Sequence, residues 1–295
     1  MTTRSDSVAR ASRHRVPSVL ANFLAGKAAK KLIKTIDANR STTVVSPNGI
    51  RFIFPPHCFS DLSGVLVSGE VQLHLCEVFG KSQMVLTNLG TTSENRLLES
   101  AGQFYLQATQ EGKPLKLIQP VSVEMPVILS LSNKIAVKLF AGSFSTMLAF
   151  NDDHVFDWRL ADDRALPIRK VAEKKYYHFE IHEFNWHGCH YFYPKKTTRT
   201  MVGARAVSVI ESFDDQAAFL VFDDIPSVVR MYDNVNGFTA LNIPVNLAAK
   251  VILLALKDEQ LYFGSRPIEN TYSQKTYVEL EPVSEEQLLE KLRQL

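Results

Sequence analysis

The sequence predicts an all-β protein of two antiparallel β-sandwich domains, with a helical N-terminal arm and a short C-terminal helix. Apolar and polar residues alternate with period two over several short stretches, glycine- and proline-bearing turns separate those stretches, and helical periodicity does not interleave with them. The 295 residues are enough for two compact domains. With 45% hydrophobic and 22% charged residues, the composition excludes wholesale disorder and collagen-like character.

The first element is a basic arm over 1–40. The formal charge of the chain is only +2, which argues against a general nucleic-acid binder, but the arm holds nine basic residues against Asp6 and Asp37. Val16–Gly26 follows basic residues as the apolar region of a signal peptide does. Pro17 and Asn22 interrupt it, and no small-x-small site precedes the lysines, so it reads against a cleaved leader. From Pro17 onward, Val19, Leu20, Phe23 and Leu24 share one helical face. After Gly26 the apolar face rotates, setting Leu32, Ile33 and Ile36 opposite Lys27, Lys30, Lys31 and Lys34. Such a basic amphipathic helix can dock to a protein partner, lie on an anionic membrane surface, or cover the protein's own core. The four lysines are the candidate partner-binding residues.

The first sandwich is predicted over 41–141. Ile50, Phe52 and Phe54 alternate, as do Val71, Leu73 and Leu75, then Phe104, Leu106 and Ala108. Pro47-Asn48-Gly49, Ser63-Gly64, Ser68-Gly69 and Glu111-Gly112-Lys113-Pro114 supply turns between them. The charged stretch 142–175 reads as a connector anchored by Phe150, Phe156 and Trp158. A second sandwich is expected over 176–283, where strand texture resumes at Tyr176 and continues through Val251–Leu256 to Tyr277–Leu280. Residues 284–295 read as a helix, with Ser284 and Gln287 as a capping box and Leu288, Leu289, Leu292 and Leu295 as an apolar stripe packing on the second domain.

No apolar run approaches the ~18 residues that a membrane-spanning helix needs, the longest being Val251–Leu256. Cys58, Cys76 and Cys189 have no C-x-x-C spacing, so a disulfide scaffold and a cysteine zinc site are not expected.

Val45-Ser-Pro-Asn-Gly-Ile-Arg-Phe-Ile-Phe-Pro-Pro56, followed by Phe59 and Asp61-Leu-Ser-Gly64, resembles the opening of the β-sandwich shared by ankyrins, zonula occludens protein and netrin receptors. Val67-Ser-Gly69 to Glu77 and Leu98-Glu-Ser-Ala-Gly-Gln-Phe-Tyr105 resemble one branch more closely, uncharacterised two-domain proteins of Bacteroidetes with this sandwich first. In Phe184-Asn-Trp-His-Gly-Cys-His-Tyr-Phe192, Trp186 and Cys189 match a stretch that often opens the second domain of that branch, while His187 and His190 depart from it. The resemblance implies the sandwich fold and a cell-envelope setting and is nearly silent on chemistry.

Chemistry is concentrated in histidine. On a strand, His178, Glu180 and His182 project from one face, and imidazoles at alternate positions can share a zinc or other transition-metal ion, with Glu180 or Cys189 as a further ligand. The competing reading is a polar strand face over buried Tyr177, Phe179 and Ile181. No G-x-S-x-G elbow, phosphate loop, dinucleotide fingerprint or H-E-x-x-H helix occurs. The sequence therefore leads to a noncatalytic binding or scaffold protein without a cofactor, acting in a multi-protein or envelope assembly. The alternative is a zinc-dependent hydrolase built on His178, Glu180, His182 and His187.

Overall fold

The computed structural model describes residues 19–28, 31–127, 136–142, 156–194, 197–208, 212–234, 236–269, 271 and 274–295. The architecture is all-β, with two sandwich-like pairs of sheets flanked by a short helix near each end. In the first sandwich the front sheet runs Leu32–Asp37, Glu70–Val78, Arg96–Gln110, Trp186–Phe192, Lys138–Gly142 and Trp158–Asp162, each antiparallel to its neighbour. Its back sheet runs Ile168–Val171, Lys174–Ile181, Val121–Pro126, Arg51–Phe54 and Thr42–Val45. Between the two lie Ile50, Phe52, Phe54, Leu73, Leu75 and Phe104, residues whose alternation marks the strands, together with Val123 and Phe179.

This pairing redraws the domain limits expected from sequence. Trp158–Asp162 and Ile168–Val171, inside the expected connector 142–175, are edge strands of the first sandwich. Lys174–Ile181 and Trp186–Phe192, expected to open the second sandwich, pair with Val121–Pro126 and Arg96–Gln110 of the first. Alternation identifies a strand but not its partner, and these partners lie far back in the chain.

The second sandwich pairs Val228–Arg230, Asp215–Phe222, Ala249–Lys257, Gln260–Ile268 and Glu281–Val283 in one sheet. The other sheet holds Tyr232–Asn234, Gly237–Pro244, Arg199–Val207 and Gln274–Glu279. Its last two strands are parallel, so this sandwich is not purely antiparallel.

The arm is also corrected. Residues 1–18 and Lys30 lie outside the described residues. Helix α1, Val19–Lys27, forms as expected, but Leu32–Asp37 is an edge strand rather than a basic helix. Its ladder with Glu70–Val78, Leu32 opposite Leu75 and Ile36 opposite Val71, satisfies backbone groups that a short exposed helix would leave frayed.

A second helix, α2 (Lys81–Thr87), follows Glu70–Val78. Gln83 Oε1 accepts from the amides of Phe79 and Gly80 at its start, and left-handed Asn88 ends it. The C-terminal helix α3, Glu285–Arg293, carries the expected capping box, with Ser284 Oγ accepting from Gln287 N at 3.2 Å and Gln287 Oε1 from Ser284 N at 2.9 Å.

All three helices share a third core at the junction of the sandwiches. Leu20 and Leu24 of α1, Met84 and Val85 of α2, and Leu288 and Leu292 of α3 pack there with Trp158, Trp186 and Phe140 from the front sheet and Phe219 and Ile252 from the second sandwich. Polar bonds close the same seam. Thr91 N donates to Val228 O at 2.7 Å, Val228 N to Thr91 Oγ1 at 3.0 Å, and Lys81 Nζ to Phe222 O at 2.7 Å.

Candidate functional site

Lys174–Ile181 turns Tyr177, Phe179 and Ile181 into the core, leaving His178 half-buried and Glu180 and His182 exposed. Its neighbour Ile168–Val171 pairs only as far as Tyr177. Beyond that point His178 N donates to Pro167 O at 2.9 Å, and no further strand lies beside this edge among the described residues. The segment 162–167 crosses here from the front sheet to the back sheet. Asp162 stiffens it by accepting from Arg164 N at 2.9 Å and from the Arg164 guanidinium at 2.7 to 3.1 Å. These bonds hold the Asp162 carboxyl down at about 2.

Between the crossing segment and the strand edge lies a cleft of about 580 Å³. His178, Glu180, His182 and Glu183 line it from the back sheet, Asp162 and Arg164 from the crossing segment, and His187 from the front sheet. All four residues singled out as metal candidates therefore line one cleft. Among the described residues, however, no set of three or more His, Cys, Asp or Glu side chains is placed to hold one ion.

His187 is 3% exposed and packs against Phe104, ring centroids 5.5 Å apart. Its Nε2 lies 3.0 Å from Glu183 O. A carbonyl only accepts, so Nε2 carries the hydrogen and Nδ1 presents a lone pair. That Nδ1 is buried without a partner, as is Nδ1 of His178. Burial lowers the His187 pKa to about 4, partly opposed by the bond to Glu183, so the ring is neutral near pH 7.

His190 belongs elsewhere. Three residues on, it projects from the opposite strand face into the junction core, 4.6 Å from the Trp158 ring and 5.4 Å from that of Phe140. Burial lowers its pKa to about 3. Cys189 is fully buried in the first sandwich's core, and burial raises its thiol pKa.

The candidate lysines do not form one face. Lys27 pairs with Glu285 of α3 and lies 5.6 Å from the Phe23 ring centroid, while Lys31 and Lys34 are exposed beside and on the edge strand.

Sequence reasoning missed a corner of the first sandwich where Phe59–Ser60 pairs with Lys116–Leu117 and bridges to Leu66. Leu62, Val65, Leu66 and Ile118 are all more than half exposed there. The loop is pinned, since Asp61 Oδ1 accepts from Ser63 N and Val65 N at 2.9 Å and Lys116 Nζ donates to Leu62 O at 3.1 Å. Apolar residues on both sides of Ser63-Gly64 were the available signal.

No family model, curated protein or solved structure matches the chain.

Proposed function

We propose that this is a noncatalytic binding or scaffold protein whose first sandwich engages a protein partner through the corner formed by Leu62, Val65, Leu66 and Ile118. The observation that carries this reading is three exposed, large apolar side chains on one hydrogen-bonded loop, Leu62, Val65 and Leu66, with exposed Ile118 on the segment after the strand that pairs with Phe59–Ser60. Scattered surface leucines need no explanation, but a contiguous group of them does. A pinned loop also loses little conformational entropy on docking. The two sandwiches, joined through a shared core, present the corner from a stiff body, which suits a scaffold. Exposed Lys31 and Lys34 add positive charge for an acidic partner surface.

The test is a photo-crosslinking residue at Leu62, with one at exposed Glu173 as control. A defined adduct from the Leu62 position that disappears in a Leu66→Asp, Ile118→Asp variant of unchanged melting temperature supports the reading. Equal adducts from both positions, or an adduct indifferent to the aspartates, would sink it.

A further inference from the structure

We infer that the cleft between the crossing segment 162–167 and the strand edge at 178–183 binds a small molecule bearing a protonated amine or guanidinium group. Three features of the cleft select that chemistry, independently of the apolar corner.

The first is the unsatisfied acceptor. His187 spends its only ring hydrogen on Glu183 O, and its Nδ1 lone pair is buried with nothing to accept from. A buried polar atom in that state costs free energy that a donor from a ligand would recover. Because burial keeps this imidazole neutral, it stays an acceptor near neutral pH.

The second is charge. Asp162 and Arg164 neutralise one another across the crossing segment. Among the described residues Glu180 and Glu183 have no ion-pair partner, and with Asp162 they set three carboxylates against the one guanidinium of Arg164, so the lining is net acidic. A cation is drawn in, and an anion is disfavoured.

The third is size and composition. About 580 Å³ is ample for a small organic molecule, and Leu139, Ala141, Phe179 and Ile181 supply apolar wall for an alkyl stem behind a charged head. A metal ion fits less well, since the described donors do not converge in a set of three.

The probe is agmatine, which carries both an ammonium and a guanidinium group, with butylurea as a neutral analogue that keeps N–H donors. The full-length protein labelled with ¹⁵N-histidine is titrated with each while imidazole resonances and calorimetric heats are followed. Agmatine should bind saturably and move the Nδ1 resonance of His187, and butylurea should bind more weakly. Glu180→Gln with Glu183→Gln, both at exposed positions, should weaken agmatine roughly tenfold, as for two partly screened ion pairs. His187→Phe keeps an aromatic ring beside Phe104 and should abolish the response. If that variant does not fold, the glutamine pair and the His187 resonance decide the matter. The inference is overturned by absence of saturable binding up to about 10 mM agmatine. Binding that leaves the His187 resonance unmoved, or affinity unchanged in the glutamine pair, overturns it equally.

Discussion

Ser227 Oγ donates to Leu98 O at 2.6 Å, a buried hydrogen bond running from one sandwich to the other. Beside it, Ser100 N donates to Pro226 O at 3.2 Å. Ser227→Ala strands the Leu98 carbonyl away from water and should cost about 1–3 kcal/mol. Because the seam is continuous with the junction core, urea unfolding of wild type and variant should each follow one transition. Two separated transitions would show that the sandwiches unfold independently.

Helix α1 is part of the junction core. Leu20 and Leu24 are buried against the other two helices' core residues, and Leu20 N donates to Asp215 Oδ2 at 3.0 Å. Leu20→Ala and Leu24→Ala should each destabilise by about 2–5 kcal/mol. Deleting residues 1–40 should therefore abolish cooperative unfolding, whereas a cooperative transition in the truncated chain would mark the arm as an appendage. Circular dichroism during denaturation tells these outcomes apart.

Acid should weaken the fold through His187 and His190. Burial depresses their folded pKa values to about 4 and about 3, from the ordinary 6.5. Below pH 6.5 the unfolded chain takes up protons that the folded chain refuses. The contribution is fully present above about 6.5 and falls as pH drops toward 4, by about 1.4 kcal/mol per unit for each ring. Denaturation midpoints measured from pH 7 to pH 4.5 should show this slope. A His190→Phe variant should roughly halve it, leaving the His187 share, and an unchanged slope in that variant would count against His190 as a source.

Glu77 clamps the first hairpin from across the core. Its buried carboxylate accepts from the Ser46 hydroxyl, from Asn48 N at 3.2 Å and from Asn48 Nδ2 at 3.0 Å. Ser46 Oγ in turn accepts from Ile50 N at 2.8 Å. Glu77→Ala should cost about 1–3 kcal/mol and speed hydrogen exchange at the Ile50 amide. Exchange at wild-type rate would mean the turn holds itself.

Gly188 makes room for a histidine. A β-carbon there would overlap the His190 ring, which lies over the backbone two residues away. Gly188→Ala should destabilise by about 1–3 kcal/mol through overpacking. Combined with His190→Ala it should cost less than the sum of the two single changes, a coupling that a double-mutant cycle measures.

Much of the fold can be read from the chain because its signals are local. Alternation at Ile50, Phe52 and Phe54 marks a half-buried strand, and Ser284 with Gln287 announces α3. Where both faces of a strand are exposed the signal fades: Ile168–Val171 is exposed throughout and resembles a charged connector. Leu32–Asp37 misleads because Leu32, Ile33 and Ile36 also satisfy helical spacing, and only the ladder to Glu70–Val78 decides between the two. Helix α2 is too short for periodicity to reveal. The cleft histidines were visible by residue type, but His187 joins His178 through sheet packing and His190 does not. The lone pair on His187 depends on its bond to Glu183 O, which sequence does not show.

Trp158, Trp186 and Phe140 sit on the outside of the first sandwich and are buried only because the second sandwich and the helices cover them. On the ribosome, the strands through Phe192 and helices α1 and α2 emerge before the second sandwich and α3, which complete the cover of this face. At about 5–20 residues per second, the remaining hundred or so residues take roughly 5–20 s to follow. For that interval the nascent chain carries an aromatic sheet face with only part of its cover made. The order of synthesis thus sets how long this apolar surface waits for the rest of its cover.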